Sequence, residues 1–292
     1  MTEVRERAAA KINLTLHVTG RRRDGYHLLE SLVAFADVAD ELTFEKASAF
    51  SLSVSGPFAH ALADDPDNLV LRAARATARG LSAVPPGAAV ALHKVLPVAA
   101  GIGGGSADAA ATIRGLVRLA GADARPAALH QLAAILGADV PVCLRSAVSL
   151  VRGVGESVTP APPLPEVHAV LANPGVAVAT ADVFRALGAA AGGTVDRTVP
   201  PLPTTPFRTV HGLADYVRTC RNDLEAPARR LAPAIGDALD ALEAAPGCLV
   251  ARMSGSGATC FALFAEKHEA AAAAADVAGR HRDWWVVPTV LS

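Results

Sequence analysis

Four glycines crowd the stretch 97-PVAAGIGGGSADAAATIRGL-116: Gly101, Gly103, Gly104 and Gly105 stand directly before Ser106 and an alanine-rich run with helical periodicity. A glycine turn that opens a helix is suited to hold an anion. The first helical N–H groups have no partners inside the helix, and the helix dipole favours negative charge there. Glycines also let the backbone close on a ligand without Cβ clashes. A strand-to-helix turn that binds nothing would use one or two glycines, so four in five positions point to a phosphate cradle. A second chemical pair lies upstream. In 11-KINLTLHVT-19 the apolar residues Ile12, Leu14, Leu16 and Val18 alternate with Lys11, Asn13, Thr15 and His17. A period of two puts Lys11 and Asn13 together on the face away from the apolar one. Tyr26 and His27 follow the turn signal Asp24-Gly25. In a chain with two tyrosines, one placed in a polar, glycine-rich turn is poorly suited to a core.

Two common phosphate loops are excluded. The Walker pattern needs Gly-Lys-Ser/Thr, and no Gly-Lys dipeptide occurs in the chain. The dinucleotide fingerprint G-x-G-x-x-G, counted from Gly101, meets Ser106 where its last glycine should be. Charge narrows the partners further. Lys plus Arg is 27 and Asp plus Glu is 28, a net charge of −1, so no global basic field holds nucleic acid. Cys143, Cys220, Cys248 and Cys260 form no CxxC pair and none stands at metal-ligand spacing from a histidine, which reads as buried thiols in a reducing compartment. The start, MTEVRERAAAK, lacks a secretory signal's apolar core, and no stretch is long and apolar enough to span a bilayer. The expectation is a cytoplasmic protein with neither nucleic-acid nor membrane partners and no tightly bound metal.

These residues need elements to place them. The period predicts a half-buried strand over 11–19, a further strand near 40–48, and a helix over 67–81 capped by Asp67 or Asn68. A strand over 88–97 runs into the glycine turn, with Ser106 as the expected N-cap of the next helix. Another helix starts near Pro126 and stops at Gly137, and Pro141 forbids its continuation. The proline-dense 155-GESVTPAPPLPE-166 is the candidate junction, giving domains 1–158 and 159–292. Beyond it follow a strand over 167–175 and a short helix over 180–188, with Thr180 as cap and Gly188 as stop. A proline-rich loop covers 192–206, helical segments come after 222-NDLE-225, and 253-MSGSGATCFALF-264 is a glycine turn feeding a strand. A helix over 266–280 and a last strand over 284–292 close the chain, the strand assigned to an edge because of Pro288. Strands and helices interleave, so the class is mixed α and β.

PVAAGIGGGSADAA resembles the P-x-x-x-G-[LI]-G-G-G-S-[SA]-[DN]-A-A loop of the GHMP kinases, which wraps ATP phosphates at a helix N-terminus. AKINLTLHVTGRRRDGYHLLESL is similar to the opening signature of one branch, the 4-diphosphocytidyl-2-C-methyl-D-erythritol kinase family. The blocks 138-ADVPVCL, 153-GVGE, 222-NDLE and 253-MSGSGATCF match that branch as well, so the likeness runs along the whole chain and is weakest over 189–215. Three departures stand out: Ala99 and Ala100 where members often carry glycine, and Ala9 in place of a proline.

The resemblance implies an α+β two-domain GHMP kinase fold, with an N-terminal domain like ribosomal protein S5 domain 2 and a ferredoxin-like C-terminal domain. It implies transfer of the ATP γ-phosphoryl group, with magnesium as part of the nucleotide complex, to the 2-hydroxyl of a cytidine-diphosphate-linked methylerythritol in the non-mevalonate isoprenoid pathway. The protein acting would be a monomer or a weak homodimer. By residue it makes Asp139 the base and Lys11 its partner. It assigns ATP to Asn68, Lys94, Pro97, Gly101, Gly103, Gly104, Gly105 and Ser106. The second substrate falls to Asn13, Tyr26, His27, Thr180 and Phe184, with the two aromatic residues stacking on cytosine. Gly255 and Gly257 form a third glycine element, and Asp108, an acid in the first helical turn close to the phosphates, reads as structural ahead of metal-linked. Two alternatives stay open: a sister kinase acting on mevalonate, homoserine or a sugar, and a nucleotide sensor without catalysis.

Overall fold

The computed structural model describes residues 3–62, 68–190 and 198–292. In chain order the strands and helices are β1 (Val4–Asn13), β2 (His17–Arg21), β3 (His27–Lys46), β4 (Ser51–Ser55), α1 (Leu69–Gly80), β5 (Ala88–His93), α2 (Gly104–Ala120), α3 (Pro126–Leu136) and α4 (Val140–Arg145). Then come β6 (Ser149–Gly153), β7 (Ser157–Pro160), β8 (Val167–Asn173), α5 (Thr180–Ala190), α6 (Val210–Thr219), α7 (Glu225–Leu231), α8 (Ala234–Glu243), β9 (Cys248–Met253), β10 (Cys260–Phe264), α9 (Lys267–Arg280) and β11 (Trp285–Leu291). Two compact units divide the chain: segments 1–10, 38–98 and 103–146 make the first, and segments 11–37, 99–102 and 147–292 the second. Among the described residues no helix is long and apolar enough to cross a membrane.

In the first unit, the later part of β3 runs antiparallel to β5, and β5 runs parallel to β4. Helices α1 to α4 pack with one another around α2. Small residues make that possible, because Ala109, Ala110, Ala111 and Ile113 of α2 are wholly buried and alanines let neighbouring axes approach. Gly115 is the extreme case, since a Cβ there would lie 2.3 Å from the Phe44 ring. Asn68 caps α1 by accepting from the Val70 N–H at 2.9 Å; the other candidate cap, Asp67, lies outside the described residues.

The second unit is built on an antiparallel run β11–β8–β10–β9, in which Val170 opposes Pro288 on one side and Ala262 on the other. The earlier part of β3 pairs with β2 and β6, and β6 pairs with β7. A single core joins Val170, Ala172, Leu239, Leu242, Phe264 and Val183 to Leu16 and Val18 from near the N-terminus.

Several expectations need correction. The segment 11–19 is not one half-buried strand: β1 ends at Asn13, β2 starts at His17, and Lys11 to Val18 are all buried. Its polar face is covered because the 221–223 segment lies along it, with Leu16 donating to Arg221 O and Asp223 donating to Leu16 O, both at 2.8 Å. Helix α3 does not continue past Gly137, and Pro141 stands in the first turn of a new helix, α4, where a missing N–H costs nothing. Helix α5 passes through Gly188 to Ala190. β11 is not an edge strand; it lies between β3 and β8. Its strand register with β3 pairs only Leu291 with Ala36, so Pro288 removes no ladder hydrogen bond on that side.

Candidate active site

The start of α2 belongs to the first unit. Helix α2 starts at Gly104, and its N-cap is Gly103 at φ 63°, not Ser106. Ser106 therefore sits inside the first turn, where its N–H belongs to the helix's unpaired donors. Gly103 is needed for its left-handed backbone. Gly105 meets no such demand: a Cβ there would have nothing within 4 Å. Open space over the helix start is what an arriving phosphate requires.

Beneath the turn lies a buried ion cluster. The Lys94 ammonium donates to Asp40 at 2.5 Å and to Asp108 at 2.7 Å, with all three side chains almost completely buried. Lys94 stands 3.3 Å from where a Gly104 Cβ would be. Burial works against its charge, but Asp108 and Asp40 outweigh that and raise the lysine's pKa. Asp108 is pushed up to about 7, first by burial and then by the charge of Asp40, against the pull of Lys94. It sits past the first turn of α2 rather than within it, and its Oδ1 is buried with no hydrogen-bond partner among the described residues. Asp139 is the N-cap residue of α4, half-buried, and its side chain is not spent on capping. Pro97 is buried at the entry to the turn.

The second unit gathers the other set. Lys11 is buried at the end of β1 and its N–H donates to Ile102 O at 2.8 Å. Two residues on, Asn13 donates from Nδ2 to Ser31 at 2.8 Å, leaving Oδ1 buried and without a partner among the described residues. Ser254 binds this strand to the glycine turn: its Oγ accepts from the Asn13 N–H and donates to Gly101 O, each at 3.1 Å. Gly101 and the MSGSG turn interlock. A Cβ on Gly101 would lie 2.5 Å from Ser254 O, and one on Gly255 would lie 2.7 Å from Gly101 O. Gly255 thus serves contact with the first glycine turn, while a Cβ on Gly257 would lie 2.7 Å from the Met253 sulfur. Asn222 completes the frame by donating to Met253 O at 2.8 Å and to Gly255 O at 2.9 Å.

Tyr26 is 64% exposed at the end of the DGY turn. His27 and Phe184 stack with ring centroids 4.8 Å apart. Phe184 is half-buried on α5, packed against the core on one side and stacked on His27. Thr180 does not act as the expected cap; it is the first residue of α5, and its hydroxyl is hydrogen-bonded to that of Ser256 at 2.8 Å. Within each unit, then, chemistry-bearing side chains cluster: Lys94, Asp108 and the α2 start in one, Lys11, Asn13 and the MSGSG turn in the other. Asp40, Ser254 and Asn222 were missed by the sequence reading. Their types are unremarkable there, and only the fold shows what they hold. Among the described residues no group of three or more His, Cys, Asp or Glu fits a metal ion.

Comparison with known proteins decides the family. The model of the GHMP kinases N terminal domain matches residues 68–147, and that of the GHMP kinases C terminal matches 211–282. A 4-diphosphocytidyl-2-C-methyl-D-erythritol kinase of Methylobacterium radiotolerans is 54% identical, covering all of both chains. The chain belongs to this kinase family. The enzyme of the same name from Cereibacter sphaeroides is 53% identical over 98% of each chain. A crystal structure of 4-(cytidine 5'-diphospho)-2C-methyl-D-erythritol kinase superposes with a TM-score of 0.77 at 35% identity, covering 99% of each chain. The α+β architecture is therefore the GHMP kinase fold, with its N-terminal and C-terminal domains.

Proposed function

We propose that the protein transfers the γ-phosphoryl group of ATP to the 2-hydroxyl of 4-diphosphocytidyl-2-C-methyl-D-erythritol, a step of the non-mevalonate route to isoprenoid precursors. Family membership over the full length supports the activity. The single observation that carries the nucleotide half is the α2 start, where a left-handed Gly103 precedes unpaired helical N–H groups and the Gly105 position opens to space. That is a fit for a polyphosphate.

Phosphoryl transfer asks the protein for positioning and for charge stabilisation. Asp139 takes the role of base, its carboxylate standing at the N-terminus of α4 without capping it. Lys11 supplies the cation that steadies this carboxylate and the developing alkoxide. Asn13 meets a substrate hydroxyl through its unsatisfied Oδ1, since a buried acceptor without a partner costs about 1–3 kcal/mol until a ligand fills it. Gly101, Gly103, Gly104, Gly105 and Ser106 hold the phosphates, with magnesium bound as part of the nucleotide. Pro97 shapes the entry to the turn. Asn68 and Lys94 belong to the nucleotide side; for Lys94 the buried ion cluster makes support of the turn its route of action. Tyr26, His27 and Phe184 take the cytosine, with Thr180 beside them. The sequence modules 1–158 and 159–292 then serve as ATP-binding and substrate-binding domains, with Asn13, Tyr26 and His27 of the first also meeting the second substrate, and the matched family segments fall on either side of that boundary. A cytoplasmic monomer or weak homodimer suits small-molecule substrates of this kind.

The test is ATP consumption by the purified protein with the cytidyl substrate and, in parallel, with mevalonate. Turnover with the first and none with the second is expected. Equal turnover with mevalonate, or none with either, overturns the assignment.

A further inference from the structure

The Asp40–Lys94–Asp108 cluster has more structure than a salt bridge needs. Its three charges come from three places along the chain: β3, the residue that follows β5, and α2. Replacing buried ion pairs with apolar residues is often neutral or stabilising, so such a cluster is a poor device for stability alone. Its geometry is better explained by what it immobilises. Asp40 is wholly buried, and its two oxygens are divided between tasks. Oδ2 accepts from Lys94, while Oδ1 accepts from the Val95 N–H at 2.6 Å and the Leu96 N–H at 2.8 Å. Those are the last two residues before Pro97 and the glycine turn. Lys94 itself is gripped on its backbone: its N–H donates to Ser55 O at 2.8 Å, and its carbonyl accepts from the Phe58 N–H at 3.2 Å. From this fixed point the ammonium reaches Asp108 of α2 and lies behind Gly104. One carboxylate thus fixes the chain entering the turn, and through the lysine it also fixes the helix leaving it.

We propose that Asp40 is a positioning residue for ATP: acting through Lys94 and the Val95 and Leu96 amides, it sets the distance between the entry to the glycine turn and the start of α2. The proposal rests on the reading of that turn as the phosphate site. It predicts a loss confined to the nucleotide, because Asp40's hydrogen bonds go to Lys94, Val95 and Leu96 and to none of the groups assigned to the second substrate.

The decisive comparison is Asp40→Asn. The amide oxygen still accepts from Val95 and Leu96, but its NH2 replaces the acceptor that faces Lys94. Calorimetric titration with ATP and magnesium should show binding weakened about tenfold, with KM for the cytidyl substrate changed by less than about twofold. Asp40→Glu, which keeps the charge, should recover part of the affinity, as a purely steric role would not allow. Should Asp40→Asn fail to fold, Lys94→Arg keeps the cation but displaces it, and the same selective loss of ATP binding is expected. Unchanged ATP affinity in a folded variant, or equal losses for both substrates, overturns the proposal. Wild-type protein that binds ATP without phosphorylating the cytidyl compound would instead refute the substrate assignment and leave the Asp40 comparison standing.

Discussion

Asp108 shows how one buried carboxylate ties stability to pH. Its pKa in the folded protein is raised to about 7, chiefly by burial, above an ordinary carboxylate near 3.9. The folded chain therefore holds this proton more tightly than the unfolded chain does. The stabilisation is complete below about pH 4 and is lost as pH rises through about 7. His17 works in the opposite sense: burial first and Arg221 next lower its pKa, so its contribution fades as pH falls below the ordinary value near 6.5. Thermal melts at pH 5 and pH 8 should show Asp108→Asn flattening the alkaline decline of the wild type. An identical decline in both would remove Asp108 as its source. Ala99 poses a separate question, since it occupies φ 53° without being glycine, at a cost of about 1–2 kcal/mol. Ala99→Gly should raise the melting temperature despite the extra freedom it gives the unfolded chain, and a fall would mean that the neighbours use the Ala99 methyl. For Asp139, replacement by Asn preserves shape while removing the base. ATP should still bind, with kcat reduced about 10²–10⁴-fold; a near-normal kcat would rule Asp139 out as base.

At the scale of elements, what could be read from the sequence follows from how local each signal is. The cap of α1 at Asn68, Pro126 at the start of α3 and Gly137 at its end were legible because such signals act over a few residues. The 20-residue β3 was only half visible. It pairs with β2 and β6 early and β5 late, so its pattern of burial changes along its length. The covered polar face of 11–18 was invisible for the same reason: the segment that covers it lies some 200 residues further on. Among the candidate residues, the glycines, Tyr26 and Phe184 stood out by type and spacing, while Asp40 was visible only as part of a strand near 40–48, with no role. The NDLE segment had no role in sequence, and the structure gives it one. Asn222 donates to two carbonyls of the MSGSG turn and accepts from the Leu224 N–H at 3.0 Å. Asn222→Ala removes these bonds and strands two buried carbonyls, a loss of about 1–3 kcal/mol for each group left unsatisfied. Chemical denaturation should show that loss together with a raised KM, because the same turn backs Gly101. A destabilised variant with unchanged KM would make Asn222 a scaffold residue alone.

For the whole molecule, the order of residues along the chain and the order of folding are different things. A boundary at 158 separates the family segments, yet the second compact unit includes residues 11–37. Leu16 and Val18 are members of its core, with Leu29 packed against it. Burying each such side chain contributes about 1.5–3 kcal/mol, a large share of the roughly 5–15 kcal/mol that holds a domain. The end of β11 depends on the same early segment. Phe35 and Ser292 exchange backbone hydrogen bonds at 2.8 and 2.9 Å, and the Asp37 carboxylate accepts from the Thr289 hydroxyl and from the Val290 N–H. Residues 159–292 expressed alone should therefore lack a cooperative melt and give a poorly dispersed amide spectrum. Fusing residues 11–37 ahead of them through a flexible glycine-serine linker should restore part of the dispersion, since loop closure costs little extra as a linker lengthens. A cooperative melt from 159–292 alone would show that this unit does not need the N-terminal strands, and that the chain's interleaving serves placement of Lys11 and Asn13 and not stability.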